Sequence, residues 1–513
     1  MTQSYIITTK NKRDALELTV SKNSSSQVNL LTFNDFSIAV LDNQFSSFED
    51  VFVEYEGGYI GVIGKIANNH SLLKLVQSTE KDTSPRNATK LFIALYKKFG
   101  AKAFHYIDGC FSVIHFEKGG GLSVFSSLIP NYPTYYYNKD NNFWISNEVK
   151  LLRGIKSLDM TLKGFDLFRP DLETSDYCKV FKYVEKMPCG AVLDCHVDGK
   201  NLGVATKSRG YKKKEFKTQK AINKNECISA LDNLFVESIE NYMALDSSNH
   251  LAVSLSGGID SCLAAAYARK INLHAKIRTF TFGSNVANEF NYAQLCADYI
   301  GAEHQEILFD EEQFLEGLKK IVYFNEIFNG VFAELHATMY LVYQEACKYS
   351  TVLLTGFNAD SLFGGLLSLE TPPHMINNTL ISKLNKTQWT GEYNSYLANS
   401  YELHECSPYL NPLIVSLACE LDPSFKIYNN EVKYVLKLLA DEKSFLPQEN
   451  IWRKKVRLEE GSAIEQMFSN FLKINPGLYR KKHEYVYNLF KLIFELNVDL
   501  KDIDMRRLRD KLI

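Results

Sequence analysis

The residue types best suited to chemistry stand together in the middle of the chain. Residues 256–261 read Ser-Gly-Gly-Ile-Asp-Ser, directly after the apolar, β-prone run 251–255 and directly before the Ala-rich run 262–269. A strand, a glycine turn and a helix N-terminus in succession form an anion site, because glycine lets the backbone approach a phosphate and the helix dipole favours negative charge. We therefore predict phosphate binding by Ser256, Gly257, Gly258 and Ser261.

Asp260 in the same loop is poorly suited to contact a phosphate directly, since like charges repel. Its presence predicts a divalent cation between the carboxylate and the phosphates, with Mg²⁺ the expected ion. The spacing differs from the Gly-x-x-x-x-Gly-Lys-[Ser/Thr] phosphate loop. It resembles instead the pyrophosphate loop of enzymes that cleave ATP between the α and β phosphates. A glycine-rich turn without a ligand is the alternative interpretation.

A second loop repeats this logic later in the chain. Residues 351–360 read Thr-Val-Leu-Leu-Thr-Gly-Phe-Asn-Ala-Asp, again an apolar strand, a glycine and a carboxylate. Strands that alternate with helices predict a parallel sheet, whose ligands bind at the carboxyl ends of the strands. Asp260 and Asp360 would then lie at the ends of neighbouring strands and hold Mg²⁺ against the pyrophosphate. In the alternative interpretation, Asp360 only caps the following helix.

The elements that position these loops belong to the second of two predicted domains, since 513 residues exceed what one core holds. The first half is rich in short β runs with intervening helices, which indicates stacked sheets of α+β type. From about Asn223 a strand alternates with helices, which is an α/β pattern. The boundary falls in the polar segment 206–223, so the predicted domains are residues 1–210 and 211–513. The clearest β runs of the first half are Val51–Tyr55, Gly58–Gly64, Cys110–Phe116, Leu122–Phe125 and Ala191–Cys195.

Composition narrows the class of protein. Hydrophobic residues make up 45% and charged residues 23% of the chain, as in an ordinary soluble globular protein. A net charge of −2 gives no reason to expect a nucleic-acid partner, and no apolar run is long enough to span a membrane. Ten cysteines without a Cys-x-x-Cys pair favour buried thiols in a reducing cytoplasm. A small-molecule carboxylate is the expected partner, and homo-oligomerisation stays open.

The two loops together resemble the synthetase domain of the asparagine synthetases. Residues 281–284 and 288–290, Thr-Phe-Gly-Ser and Asn-Glu-Phe, resemble the nucleotide-side segment of that family, which assigns Phe282 and Gly356 to ATP binding. Three further segments narrow the resemblance to the β-lactam synthetases, most closely carbapenam synthetase. They are Tyr323-Phe-Asn-Glu-Ile-Phe-Asn-Gly330, Gln388-Trp-Thr-Gly-Glu-Tyr393 and Ile451-Trp-Arg-Lys-Lys-Val-Arg-Leu-Glu-Glu-Gly-Ser462.

The resemblance implies roles for single residues. Lys455 corresponds to the lysine that lies against the acyl-adenylate and the closing ring, where an ammonium stabilises the developing negative charge. Glu392 corresponds to the glutamate of a tyrosine–glutamate dyad that removes a proton from the attacking amine. Solvated side chains are the other interpretation of both residues. The substrate-contacting set implied by the family is Glu326, Gly356, Glu392, Gly461 and Ser462.

One departure from the family falls in the second loop. The dyad tyrosine should follow Gly356, yet Phe357 stands there and offers no exchangeable proton. Asn358 also replaces the usual glycine. Three explanations stay open: Glu392 acts as the base with Tyr393 or a water, the nucleophile or ring differs, or ring closure is impaired.

The N-terminal half departs as well. Asparagine synthetases hydrolyse glutamine with a cysteine that follows Met1, whereas this chain has Thr2 and no cysteine before Cys110. The resemblance therefore implies an Ntn-hydrolase-like αββα sandwich, a degenerate glutaminase. The predicted function is ATP-dependent closure of a β-lactam-type ring in antibiotic biosynthesis, from a β-amino acid through an acyl-adenylate. Alternatives are an intermolecular or lasso-type amide ligase, and a non-catalytic nucleotide-binding scaffold.

Overall fold

The structure is a computed structural model, and it describes most of the chain. The described ranges are 4–23, 28–41, 51–76, 85–127, 132–140, 142–155, 157–162, 180–188, 190–198, 201–208, 223–386, 395–454 and 456–512. Thr2, Glu392, Tyr393 and Lys455, to which the sequence assigns possible roles, lie outside the described residues. The chain forms two compact units, the first comprising Met1–Gly210 with Tyr487–Ile503 and the second most of the remainder.

Two antiparallel sheets make up the first unit. The first sheet has the strand order β10-β8-β9-β1-β3-β2 and the second has the order β12-β11-β7-β6-β5-β4. The strands are β1 Ser4–Thr9, β2 Val28–Phe33, β3 Phe36–Leu41, β4 Phe52–Tyr55, β5 Gly58–Ile66, β6 Gly109–Phe116, β7 Leu122–Ser126, β8 Tyr135–Lys139, β9 Asn142–Ser146, β10 Val184–Lys186, β11 Ala191–Asp198 and β12 Asn201–Ser208. The predicted β runs therefore coincide with strands to within a few residues.

Alternating apolar residues join the two sheets face to face. Tyr5, Ile7 and Ile38 from the first sheet and Ile114 and Val124 from the second belong to one buried cluster. The helix Arg13–Asn23 lies against β1 and β3, and the helix Pro85–Phe99 lies against β4 and β5. The layers run helix, sheet, sheet, helix. Assignment of this sandwich to the Ntn class remains a prediction. The unit's other helices are Asn69–Val76 and Val149–Arg153.

A parallel sheet forms the centre of the second unit. Its order is β15-β14-β13-β16-β17, and every pair in it is parallel. The strands are β13 His250–Ser254, β14 Lys276–Gly283, β15 Glu303–Leu308, β16 Val352–Leu354 and β17 His404–Cys406, with a separate hairpin of β18 Ile427–Tyr428 and β19 Glu431–Val432. β13 and β16 are buried because helices cover the sheet, which matches their continuous apolar sequences.

Helices account for most of the remaining residues between 223 and 512. The first of them begins at a capping box in which Asn223 and Glu226 exchange hydrogen bonds. No helix within the described ranges is long and apolar enough to cross a bilayer. The helices are Lys224–Met243, Ile259–Ile271, Phe290–Ile300, Glu311–Asn325, Gly330–His336, Met339–Ala346, Ala359–Phe363, Pro373–Lys386, Ser395–Ser400, Pro412–Glu420, Tyr434–Lys443, Gln448–Ile451, Leu458–Gly461, Ile464–Leu472, Tyr479–Phe494 and Met505–Asp510.

The strand order creates a switch point between β13 and β16. From β13 the chain runs outward through β14 to β15, and it then returns to the other side of β13 to form β16 and β17. Ala252 pairs with Leu353 and Val253 with Leu354 across this point. Open α/β sheets bind ligands outside the carboxyl ends of the strands where the order reverses. Both glycine loops identified in the sequence follow these two strands.

Candidate active site

The first loop is a tight turn that only glycine can make at its second position. Gly257 has φ +73°, and a Cβ there would lie 2.5 Å from Tyr292 Cβ and 2.6 Å from Tyr292 C. Gly258 has φ −82° and caps the helix Ile259–Ile271. Ser256 N donates to Ser261 Oγ at 3.1 Å, so the loop closes on itself with its first helical N–H groups directed outward. This arrangement can bind an anion.

The second loop touches the first directly. A Cβ on Gly356 would lie 2.6 Å from Ser261 N and 2.8 Å from Asp260 Cβ, so any larger residue would push the two loops apart. Thr355 N donates to Cys406 O at 2.8 Å, which holds the second loop against the next strand of the sheet. The sheet therefore brings together the two glycine loops that the sequence predicted to share a ligand.

Asp260 and Asp360 converge on one buried cation, Lys433. Lys433 Nζ lies 2.8 Å from Asp360 Oδ1 and also pairs with Asp260 Oδ2, and its side chain is only 5% exposed. Burial works against the ammonium charge, but the two carboxylates outweigh it and raise the pKa of Lys433. Asp360 thus points to the shared ion pair instead of capping its helix, whose cap is Asn358.

The two carboxylates fit a magnesium ion shared with phosphates. Mg²⁺ is commonly held by one or two carboxylates together with substrate phosphates. Both carboxylates reach the same ammonium, so their oxygens already surround one position of positive charge. Within the described ranges, no group of three or more His, Cys, Asp or Glu side chains could hold a metal ion. Asp260 and Asp360 would therefore need phosphate oxygens to complete the coordination.

A cavity of about 190 Å³ opens beside these loops. Several predicted site residues share its lining: Ser256, Asp260, Ser261, Phe282, Gly356, Phe357, Gly461 and Ser462. Other lining residues were not singled out by the sequence: Ser254, Leu255, Phe280, Thr281, Glu289, His336, Met339, Thr355, Glu405 and Leu458. The cavity is continuous from the phosphate-type loop to the Gly461–Ser462 segment, as a site for nucleotide and second substrate requires.

The side chain of Arg453 contacts the first loop and stabilises it. Arg453 forms an ion pair with Glu289, stacks on the Tyr292 ring at 3.8 Å and donates to Ser256 O at 3.4 Å. Burial raises the pKa of Glu289, and Arg453 opposes that shift. Asn450 Nδ2 donates to Gly257 O and Tyr292 O, each at 2.9 Å. These contacts fix the turn before any ligand arrives.

Phe357 lines the cavity at the position where the resemblance predicts a tyrosine. Ser407 Oγ donates to Phe357 O at 2.7 Å, which fixes the backbone of the second loop. Asn358 adopts φ +73°, a left-handed conformation that favours glycine, and its Nδ2 donates to Tyr409 O at 3.0 Å. The hydrogen bond of the side-chain amide thus stabilises a backbone conformation that glycine would adopt without strain.

Glu289, His336 and Glu405 are titratable lining residues that were not predicted, and the last two differ most in their pKa from an ordinary side chain. Burial raises the pKa of Glu405 to about 7, and a hydrogen bond from Tyr343 Oη at 2.9 Å partly opposes that shift. Burial lowers the pKa of His336 to about 4, so this imidazole is neutral at pH 7. The cavity therefore holds one carboxyl whose pKa lies near neutrality.

The segment that carries the two loops is similar to proteins of a known family. Residues 230–407, which contain both loops, match the family model of asparagine synthase. This segment of the chain is therefore similar to the asparagine synthase family. The carboxyethyl-arginine β-lactam synthase of Streptomyces clavuligerus is 23% identical to it over 85% of this chain and 80% of the relative. A probable glutamine-hydrolysing asparagine synthetase of Dictyostelium discoideum is also 23% identical, over 85% of this chain and 78% of the relative.

These relatives are ATP-dependent ligases that form amide bonds. Among solved structures, an allosteric regulatory enzyme of purine biosynthesis aligns with a TM-score of 0.29 and 9% identity, covering 60% of this chain and 80% of that one. Similarity at that level establishes no relationship of function.

Most of the predicted site residues within the described part of the second unit lie together. Gly257, Gly258 and Asp360 belong to the two loops, although they are not among the cavity's lining residues. Glu326 is not brought to the cavity: it follows the helix Glu311–Asn325 with φ +56° and is buried elsewhere. Glu392 and Lys455 stay predictions because they lie outside the described residues.

Besides Glu289, sequence reasoning missed three charged residues that lie at the loops or line the cavity. Arg453 stands within the segment 451–462 that had been matched to the family, so it could have been noticed there. Lys433 and Glu405 stand in segments without a glycine turn or a motif. Only the parallel sheet and the helix Tyr434–Lys443 bring them to the loops, so no local signal identifies them.

Proposed function

We propose that this protein is an ATP-dependent ligase that adenylates a substrate carboxylate and then closes an amide ring within the same molecule. One observation carries the proposal. Two glycine loops, each followed by a carboxylate, meet at the switch point of a parallel sheet and border one cavity. The asparagine synthase match and the relatives' activities support amide formation driven by ATP.

In the first step a carboxylate oxygen of the substrate attacks the α-phosphorus of ATP. The new bond joins that oxygen to phosphorus, and the bond to the β-phosphate bridging oxygen breaks, so pyrophosphate leaves with the electron pair. The N–H groups at the start of the helix Ile259–Ile271, with Ser256 and Ser261, would hold the phosphates. Lys433 would offset their charge, and Asp260 and Asp360 would hold Mg²⁺, which supplies further charge neutralisation.

In the second step a nitrogen attacks the activated carbonyl carbon and AMP leaves. We infer a nitrogen tethered in the same substrate, because the Streptomyces clavuligerus relative is named a β-lactam synthase of carboxyethyl-arginine. Tethering raises the effective concentration of the amine and helps to overcome ring strain. We retain Lys455 as the proposed stabiliser of the charge on the tetrahedral oxygen.

Intermolecular amide formation is the second candidate. The Dictyostelium discoideum relative, named an asparagine synthetase, has the same identity to this chain as the β-lactam synthase. An external ammonia or amine would then replace the tethered nitrogen. In a lasso-type ligase the amine and the activated carboxylate would instead come from two segments of one peptide. A nucleotide-binding scaffold without chemistry is the third possibility.

Exchange of labelled pyrophosphate into ATP separates these candidates. The purified protein with Mg²⁺ would be given carboxyethyl-arginine, aspartate or simple β-amino acids. We expect carboxylate-dependent exchange, and we expect Asp260→Asn to lose it while Asp232→Asn, whose carboxylate pairs with Lys270 and Lys443 away from the cavity, keeps it. Mass spectrometry then distinguishes a ring, which has lost one water from the substrate, from an amide that has gained an external amine. Absence of exchange with every probe contradicts the enzyme proposal.

A further inference from the structure

Two side chains of one short segment bind consecutive carbonyl groups of the first loop. Asn450 lies in the helix Gln448–Ile451, and Arg453 follows the end of that helix by two residues. Arg453 Nη1 donates to Ser256 O at 3.4 Å, and Asn450 Nδ2 donates to Gly257 O at 2.9 Å. The described residues that line the cavity do not include Asn450 or Arg453. Both side chains therefore act on the loop and not directly on a ligand in the cavity.

These two hydrogen bonds determine where the N–H groups of the loop point, because peptide groups are planar. The peptide bonds that follow Ser256 and Gly257 are trans, so each C=O points opposite to the N–H of the same plane. Arg453 holds the first carbonyl and thereby directs the N–H of Gly257 away from itself, and Asn450 does the same for the N–H of Gly258. Gly258 N lies 3.4 Å from Ser256 Oγ, to which it donates, and Ser256 lines the cavity. Successive N–H groups directed away from one binding segment form a concave anion site.

The buried amide of Asn450 has only one orientation that suits its neighbours. Nδ2 donates to Gly257 O and to Tyr292 O, each at 2.9 Å. Because both neighbours are carbonyl oxygens, only the NH₂ end of the amide can face them. Gly257 and Tyr292 also approach each other closely, since a Cβ on Gly257 would lie 2.6 Å from Tyr292 C. Asn450 thus fastens the turn of the first loop to the helix Phe290–Ile300.

Two further contacts hold the guanidinium of Arg453 in place. It forms an ion pair with Glu289, in which the two side chains are only 10% and 14% exposed, and it stacks on the Tyr292 ring at 3.8 Å. Glu289 balances the positive charge, so Arg453 affects the loop mainly through its hydrogen bond to Ser256 O. The planar fork of a guanidinium can bind a carboxylate and a carbonyl in one fixed geometry, whereas the ammonium of a lysine is a single point charge.

We propose that Asn450 and Arg453 are positioning residues for phosphate binding. They hold the carbonyl groups of Ser256 and Gly257 so that the N–H groups of Gly257 and Gly258 face the phosphates. This inference rests on the proposed function, because the phosphates are those of ATP and pyrophosphate. The two side chains contribute to the affinity for the phosphate groups, whereas the adenosine part and the substrate carboxylate depend on other residues of the cavity.

The test compares two ligands that differ in their phosphates, with the full-length protein. α,β-Methylene-ATP with Mg²⁺ and adenosine alone are titrated by isothermal calorimetry. We expect Arg453→Met to weaken binding of the ATP analogue about tenfold and to change the adenosine affinity by less than about twofold. Arg278→Met is the matched control, because Arg278 in β14 also pairs with a carboxylate, Glu303, and stacks on a tyrosine ring, Tyr349, at 4.4 Å. Arg278 is not among the described lining residues, so this variant should bind both ligands like wild type.

Two further variants distinguish orientation of the loop from charge. Arg453→Lys keeps the charge and loses the fork, so its affinity for the ATP analogue should stay close to that of Arg453→Met. Asn450→Leu removes both Nδ2 hydrogen bonds at a similar side-chain volume and should have the same phosphate-selective effect. In pyrophosphate exchange, the KM for pyrophosphate should rise about tenfold in each variant, while the KM for the carboxylate probe that supports exchange stays within about twofold. Thermal unfolding of each variant verifies that it is folded.

Three results would overturn the inference and leave the proposed function intact. The first is wild-type affinity for the ATP analogue in Arg453→Met. The second is an equal loss of affinity for adenosine and for the analogue, because the two side chains would then support the packing of the whole site. The third is full recovery in Arg453→Lys, which would assign the effect to charge. If the wild-type protein binds neither ligand and exchanges no pyrophosphate, the proposed function fails and the inference fails with it.

Discussion

The two loops at the switch point share a position in the sheet and differ in design. The loop after β13 has two glycines, two serines and Asp260, and its hydrogen bonds close on its own backbone and hydroxyls. The loop after β16 has one glycine in contact with the first loop, followed by Phe357 and by Asn358 in a left-handed conformation. Side chains from other segments hold both loops, Arg453 and Asn450 in the first and Ser407 in the second. The first loop is in addition closed by the hydrogen bond between Ser256 N and Ser261 Oγ.

The first loop has the features that phosphate binding requires, whereas the second loop lines the space that a substrate would occupy. Every ATP-dependent enzyme with such a loop faces the same phosphates, and backbone N–H groups with glycine turns meet that need. Phe357, the residue after Gly356, lines the cavity in which the proposed second step would take place. A change there, such as Phe357, leaves the phosphate loop intact.

The largest effect is expected from breaking the first loop's turn. Gly257→Ala places a Cβ within 2.6 Å of Tyr292 backbone and forces a left-handed residue, a strain of about 1–2 kcal/mol before the clash. The phosphate-facing N–H groups would move, so we expect pyrophosphate exchange to fall by about 100-fold or more. Gly258→Ala is the control, since its Cβ would meet only Ser256 Oγ at 3.5 Å. Equal losses in both variants would contradict this account of the turn.

A smaller loss is expected when the shared cation is removed. Lys433→Met leaves Asp260 and Asp360 facing each other without the ammonium, and Mg²⁺ can compensate only in part. We expect exchange to fall about tenfold to 100-fold and the Mg²⁺ concentration for half-maximal exchange to change. The control is Lys437→Met on the next turn of the same helix, where the lysine pairs with Glu431. Unchanged exchange in Lys433→Met would indicate that the ion pair is only structural.

Much of this site could be predicted from local sequence. Ser256–Ser261 carries its own turn, helix start and donors, and the apolar strand before it fixes its place in the sheet. The proximity of Asp260 and Asp360 was predicted from the parallel sheet, because the carboxyl ends of neighbouring parallel strands lie at the same edge. Lys433 could not be found in this way, because its approach depends on a helix that begins at residue 434, far along the chain.

The strands of the N-terminal sandwich could be predicted from local sequence, but their order within the sheets could not. Alternating apolar residues and turn signals predicted its strands to within a few residues, as for β6 and β11. The order of strands within each sheet, by contrast, depends on long-range pairings such as β1 with β9, which no local pattern encodes. Glu405 was missed for this reason too, since only the β16–β17 pairing brings it beside the second loop.

A modest gain is expected from restoring the family's residue in the second loop. Phe357→Tyr adds a hydroxyl at the cavity wall, at the position where the resemblance predicts the proton acceptor for the attacking nitrogen. We expect amide formation to rise about two- to tenfold, with exchange unchanged. Phe357→Leu is the control for loss of the ring. A Tyr variant that loses exchange as well would show that the ring packs against the nucleotide instead.

The smallest effect is expected at Asn358, the residue that makes the second loop differ from a glycine turn. Asn358→Gly removes the cost of a left-handed asparagine but also removes the 3.0 Å hydrogen bond from Nδ2 to Tyr409 O. These terms oppose each other, so the free energy of unfolding in urea should change by less than about 1 kcal/mol. Asn358→Ala keeps the backbone strain and loses the bond, and should be less stable than Asn358→Gly by about 1 kcal/mol. If the glycine variant were less stable than wild type by clearly more than about 1 kcal/mol, the amide contact and not backbone freedom would set this conformation, and the second loop would owe its shape to Tyr409.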